Sequence, residues 1–103
     1  MIGIVDYRAG NLTSVARALE HLRQPCIMSN DYKLLEKADR IIFPGVGAAG
    51  AAMEDLRRSG LEVHLKRWVR EGKPVLGICL GMQVLFDRSE EDNTRCLGIV
   101  PGE

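Results

Sequence analysis

Two glycine-flanked segments hold the residues whose spacing could do chemistry. The first is Gly77-Ile78-Cys79-Leu80-Gly81-Met82-Gln83, at the end of the apolar run Val75-Leu76-Gly77-Ile78. A nucleophile on a sharp strand-to-helix turn needs small neighbours two positions before and after it, and Gly77 and Gly81 hold those positions around Cys79. Such an elbow presents the sulfur at the carboxyl end of a sheet, where open α/β folds place their sites. It also sets the thiol at a helix N-terminus, whose partial positive charge favours the reactive thiolate. The Leu80 amide would then face a developing oxyanion. On spacing alone, the competing reading is a buried core cysteine between two packing glycines.

The second segment, Pro44-Gly45-Val46-Gly47-Ala48-Ala49-Gly50, literally matches Gly-x-Gly-x-x-Gly. Its context is poor for a dinucleotide fingerprint. That motif follows the first strand, and an acidic residue closes the next strand about 20 residues on; here the region around Leu61 to Lys66 reads as helix. Two readings remain: a glycine loop that lends backbone amides to a neighbouring site, and a plain turn whose glycines supply φ > 0.

The elements that must position these segments alternate in type. Ile2-Gly3-Ile4-Val5 is a short β-branched run closed by Asp6 and reads as a buried strand. Leu12, Val15, Ala16, Leu19 and Leu22 recur at helical spacing, with Asn11 or Thr13 as a cap and Pro25 as a stop. Residues 26–28 read as a second strand, 31–37 as a brief helix, and Arg40-Ile41-Ile42-Phe43 as a third strand stopped by Pro44. Helical stretches over 49–58 and 61–71 are separated by Ser59-Gly60, and Gly72-Lys73-Pro74 is a turn signal before the fourth strand, 75–78. Residues 82–86 return to helix, the polar run 87–95 reads as loop, and 97–100 starts a further strand. Strands apolar on both faces alternating with helices predict a parallel sheet covered on two sides. A sheet that stops there leaves an edge uncovered, so the chain is expected to be part of a larger domain and poorly stable on its own.

Composition narrows the class. The 103 residues are 46% hydrophobic and 27% charged, too apolar for disorder, and contain no uninterrupted apolar run of about 20 residues. Lys+Arg and Asp+Glu both number 14, so no global field recruits nucleic acid or an anionic membrane. The N-terminal run lacks the flanks of a signal peptide. Cys26, Cys79 and Cys96 are odd in number and form no Cys-x-x-Cys, which argues against a disulfide scaffold or zinc site and for a reducing, cytoplasmic compartment. His21 lies off its helix's apolar stripe, whereas His64 shares a face with Leu61, Leu65 and Trp68 and reads as a boundary residue. Trp68 reads as core, Cys26 and Cys96 as structural, and Glu90-Glu91-Asp92 as a solvated loop rather than a metal site.

Residues 6–15, Pro44-Gly45-Val46-Gly47, Gly50-Ala51-Ala52-Met53 and Gly77-Ile78-Cys79-Leu80-Gly81-Met82-Gln83 together resemble the triad-type (class I) glutamine amidotransferases. Within them, the chain is similar to the glutaminase subunits of imidazole glycerol phosphate synthase in histidine biosynthesis. The resemblance implies a mostly parallel, doubly wound, flavodoxin-like sheet, with residues 1–103 as the N-terminal half of a single glutaminase domain. It implies that Cys79 attacks the side-chain amide carbon of glutamine and forms a thioester. The backbone amides of Val46 and Leu80 would form the oxyanion hole, Gly47 and Gln83 would serve substrate binding, and Asn11 would support the loop near the partner face. No cofactor or metal is implied. The implied partner is a cyclase subunit with a (β/α)8 barrel, which receives the ammonia in a heterodimer and forms imidazole glycerol phosphate and an aminoimidazole carboxamide ribotide.

Two residues depart from the family's pattern: Arg8 where glycine is common, and Ala49 where an aromatic is frequent. The larger departure is that the family's Gln-Phe-His-Pro-Glu segment, source of the triad histidine and glutamate, does not occur in these 103 residues. An unassisted thiol is only a few per cent thiolate near neutral pH, roughly, and the leaving ammonia lacks a proton donor. The chain alone is therefore expected to be inactive as a glutaminase. The alternatives are a truncated amidotransferase-like docking piece and a nucleotide-binding flavodoxin-like domain using the glycine loop.

Overall fold

The computed structural model describes residues 1–6, 12–45, 48–89 and 94–102. Four strands, β1 (Ile2–Val5), β2 (Cys26–Ser29), β3 (Arg40–Phe43) and β4 (Val75–Gly77), form one parallel sheet in the order β2-β1-β3-β4. This is the strand order of the flavodoxin-like doubly wound fold. Helices α1 (Leu12–His21), α2 (Tyr32–Leu35), α3 (Ala49–Ser59) and α4 (Leu61–Arg70) make the crossovers, and α5 (Leu80–Gln83) follows β4.

The pleat sorts the strand residues between two faces. Val5, Ile41 and Phe43 join the main core with Leu35 and Ala38, with Met53 and Leu56 of α3, and with Leu61, Leu65 and Trp68 of α4. The opposite face carries Ile4, which is fully buried and in register with Met28 on β2 and Ile42 on β3, which in turn pairs with Leu76 on β4. That row is uneven: Met28 is 46% and Leu76 58% exposed. The expectation of strands buried on both faces thus holds in the middle of the sheet and fails at β2 and β4, the outer strands among those described.

Local chemistry explains the helix boundaries. Asp31 caps α2, its Oδ1 accepting the Lys33 amide at 2.9 Å. Gly60, with φ 80°, ends α3 and starts α4 in a single left-handed residue. Glu36, just past α2, ties that short helix to α4. It pairs with Arg67, and Trp68 Nε1 donates to its Oε2 at 2.6 Å. Lys73 Nζ also donates to the Glu36 carbonyl at 3.0 Å.

The structure differs from the sequence reading after β4. Helix α5 starts two residues before the expected 82 and ends at Gln83. The expected loop over 87–95 contains an antiparallel pair of two-residue strands, β5 (Arg88–Ser89) and β6 (Thr94–Arg95). Residues 97–100 do not join the sheet; Val100 makes one isolated parallel bridge, to Phe86 outside it. Their amides donate instead to the carbonyls of Val84, Leu85 and Phe86, just past α5. An apolar β-branched run marks burial, and here the carbonyls of the turn that follows α5 took its amides.

Candidate active site

Cys79 sits at the junction of β4 and α5 with φ 53° and ψ −118°. This is a left-handed conformation that costs a non-glycine residue about 1–3 kcal/mol and persists where the surroundings over-determine it. The surroundings do so. The Ile78 amide donates to the Phe43 carbonyl at 3.0 Å and the Leu80 amide to the Gly45 carbonyl at 3.0 Å, continuing the β3–β4 ladder through the turn. Behind the cysteine, the Gln83 amide returns to the Cys79 carbonyl at 3.1 Å.

Both flanking glycines are required by contact. A Cβ on Gly81 would stand 1.8 Å from the Phe43 carbonyl oxygen, and one on Gly77 would stand 2.8 Å from Met82 Cα. No side chain fits at either position, which is the crowding the spacing predicted. Cys79 is exposed, so the reading as a buried core cysteine is overturned; Cys96 is the buried one and Cys26 is half-buried. Burial pushes the Cys96 thiol up.

Two expectations about the elbow change. Helix α5 has four residues, so the axial dipole behind Cys79 is that of a single turn. The Leu80 amide is also not open to a ligand in this conformation, since Gly45 holds it. The Leu80 side chain is buried, whereas Gln83 is exposed one turn beyond the cysteine. Ala49, the first residue of α3, is fully buried. Val46, Gly47, Asn11 and Arg8 lie outside the described residues.

Neither histidine belongs to this site. His21 is exposed at the end of α1. His64 stacks on Tyr32, ring centroids 3.8 Å apart, and its Nδ1 lies 3.1 Å from Arg67 Nη2, which places it in the α2–α4 contact. Among the described residues, no three His, Cys, Asp or Glu side chains are grouped as metal ligands would be. The dinucleotide reading also loses its context: two helices follow the glycine loop, and the next strand ends on Gly77 with no acidic residue.

Sequence reasoning overlooked Gly45 and Asp87. Gly45 was open to inference, because pairing Phe43 with Gly77 places Gly45 beside the cysteine. Asp87 carried no local signal. It meets Gly102 only after the chain folds back.

Comparison with known proteins bears on this geometry. The family model for glutamine amidotransferase class-I matches residues 3–95. The imidazole glycerol phosphate synthase subunit HisH of Nitratidesulfovibrio vulgaris (strain DP4) is 52% identical over 103 residues, all of this chain and 48% of that protein. The subunit of the same name from Halalkalibacterium halodurans is also 52% identical over 103 residues, covering 99% of this chain and 48% of its own length. The chain spans about half the length of the curated relatives it matches. Among solved structures, a glutamine amidotransferase superposes with a TM-score of 0.78 at 24% identity, over 95% of this chain and 52% of that one. A peptidase E protein from Listeria monocytogenes reaches the same TM-score at 16% identity, over 96% of this chain and 62% of that one. These last two likenesses are of fold.

Proposed function

The chain belongs to the glutamine amidotransferase class-I family, and from that premise we propose that it carries the nucleophile of a glutaminase. The observation that carries this reading is the exposed, left-handed Cys79 held between two glycines that admit no side chain. The Cys79 sulfur adds to the side-chain amide carbon of glutamine, and the carbonyl oxygen takes the negative charge of the tetrahedral intermediate. Collapse expels nitrogen as ammonia once it gains a proton, leaving a thioester. Water then cleaves the thioester to glutamate and restores the thiol.

The amides of Leu80 and Val46 are the donors proposed for the oxyanion, with Gly47 and Gln83 on the substrate side and Asn11 supporting the loop. Leu80 serves only after the Gly45 carbonyl turns away, because one N–H cannot point at both oxygens. The resting conformation is therefore a closed one. A group that takes and returns the proton is needed as well, and neither His21 nor His64 is placed for it. On this reading residues 1–103 are the N-terminal half of one glutaminase domain, and by themselves they turn over glutamine negligibly.

In the proposed setting, the ammonia passes to a cyclase subunit with a (β/α)8 barrel. The two subunits act as a cytoplasmic heterodimeric imidazole glycerol phosphate synthase, also yielding an aminoimidazole carboxamide ribotide. The names of the relatives at 52% identity support that partner class. No described helix is long and apolar enough to cross a membrane. The second reading, an amidotransferase-like piece that docks a partner without catalysis, draws on the closed Leu80 amide. Covalent labelling decides between them. A glutamine-like affinity label should modify Cys79 and leave Cys79→Ser unmodified; an exposed Cys79 that reacts with iodoacetamide but ignores that label favours the docking piece.

A further inference from the structure

This inference rests on Cys79 as the nucleophile and concerns what holds it in place. A single helical turn is a costly nucleus with few bonds of its own, so α5 needs support from outside to keep a left-handed residue at its start. Its front is fixed to β3 through Phe43 and Gly45. Its rear is gripped by a return of the chain: the amides of Leu97, Gly98, Ile99 and Val100 donate at 2.8–2.9 Å to the carbonyls of Val84, Phe86 and Leu85.

Asp87 holds both ends of that return. Its carbonyl accepts the Cys96 amide at 3.0 Å, and its own amide donates to the Gly102 carbonyl at 3.0 Å. Its Oδ2 accepts the Gly102 amide at 3.1 Å. We propose that Asp87 is a positioning residue for Cys79, closing residues 96–102 over the turn that follows α5 and thereby holding Cys79 on its positive-φ turn between β4 and α5. It touches neither the substrate nor the sulfur.

Native-state hydrogen exchange on the full 103-residue chain tests this. The amides of 97–100 and 102 and those of Ile78 and Leu80 should open as one unit, with a common dependence on low denaturant. Asp87→Ala should speed exchange at Ile78 and Leu80 about fivefold, the factor for one lost hydrogen bond. With denaturant added, labelling of Cys79 by the glutamine-like reagent should be lost at a lower concentration than in the unmodified chain, because it follows the fraction with the elbow formed, while iodoacetamide, which needs only an exposed thiol, keeps its rate. Asp87→Asn retains an acceptor oxygen and should restore both values. Asp31→Ala, which removes the α2 cap, should leave Ile78 and Leu80 unmoved. Opening of 96–102 in the unmodified chain while Ile78 and Leu80 stay protected overturns the proposal, even where Asp87→Ala does not fold. If the openings are coupled but Cys79 ignores the glutamine-like label, the positioning stands and the glutaminase reading is what fails.

Discussion

The Gly45 carbonyl accepts the Leu80 amide at 3.0 Å, one ladder step beyond the bond from Ile78 to Phe43. The same amide cannot serve a ligand until that bond breaks. In the free chain it should be protected from exchange to the same degree as the Ile78 amide, whose bond to Phe43 lies one step before it. When Cys79 captures a glutamine-like label, the Leu80 amide resonance should move more than those of Gly81 and Gln83. An unmoved Leu80 signal would rule that amide out as an oxyanion donor.

Gly81→Ala is the most disruptive single methyl available in the elbow, because the added carbon would overlap the Phe43 carbonyl. Relief requires moving backbone on either β3 or α5, so a loss of about 3 kcal/mol is expected, at the upper end for overpacked sites. Denaturant melts should show it, and labelling of Cys79 should fall with it. Unchanged stability would mean that the elbow does not ride against β3 as described.

The three cysteines should separate by reactivity. Cys79 is exposed, Cys26 half-buried, and Cys96 buried with its thiol pushed up by desolvation. Site-resolved alkylation of the native chain near neutral pH should proceed in that order. Early modification of Cys96 would show that the return over α5 opens readily.

Trp68→Phe keeps most of a fully buried ring but removes the donor to Glu36. About 1 kcal/mol should be lost, or roughly 4–8 °C in Tm for a domain of this size. An unchanged melt would mean that the α2–α4 tie contributes nothing to the fold.

The Arg67 hydrogen bond, joined by that from Trp68, holds the Glu36 carboxyl below its ordinary range despite some desolvation. Between the ordinary value, about 4.3, and the lower native one, the unfolded chain binds more protons than the folded chain. Stability is therefore fully present above the ordinary value and is lost as pH falls through the native one. Glu36→Gln should flatten that acid limb of the melting profile, leaving the part owed to Asp39, which the N-terminal ammonium also holds low. A limb that keeps its full depth in the variant would assign acid sensitivity to other carboxylates.

Much of this architecture was legible because it is written in local patterns. Four apolar runs gave the four strands, and helical spacing gave α1, α3 and α4 to within a residue or two. Burial follows period, and period can be read along a chain. Gly77, Cys79 and Gly81 announced a crowded turn, because only glycine spares the neighbouring backbone. The reading failed at 88–89, 94–95 and 97–100, where no local pattern told the carbonyls of a turn from those of a strand.

What the sequence by itself determined is the set of elements and the residues able to do chemistry at their ends. Tertiary structure decided the partners. That Gly81 must clear Phe43, that Gly45 holds the Leu80 amide, and that Asp87 meets Gly102 all depend on groups brought together from distant parts of the chain. The reason is physical. A backbone amide has no preference encoded in its own residue for one carbonyl over another, and its partner is set by the register and packing of whole elements.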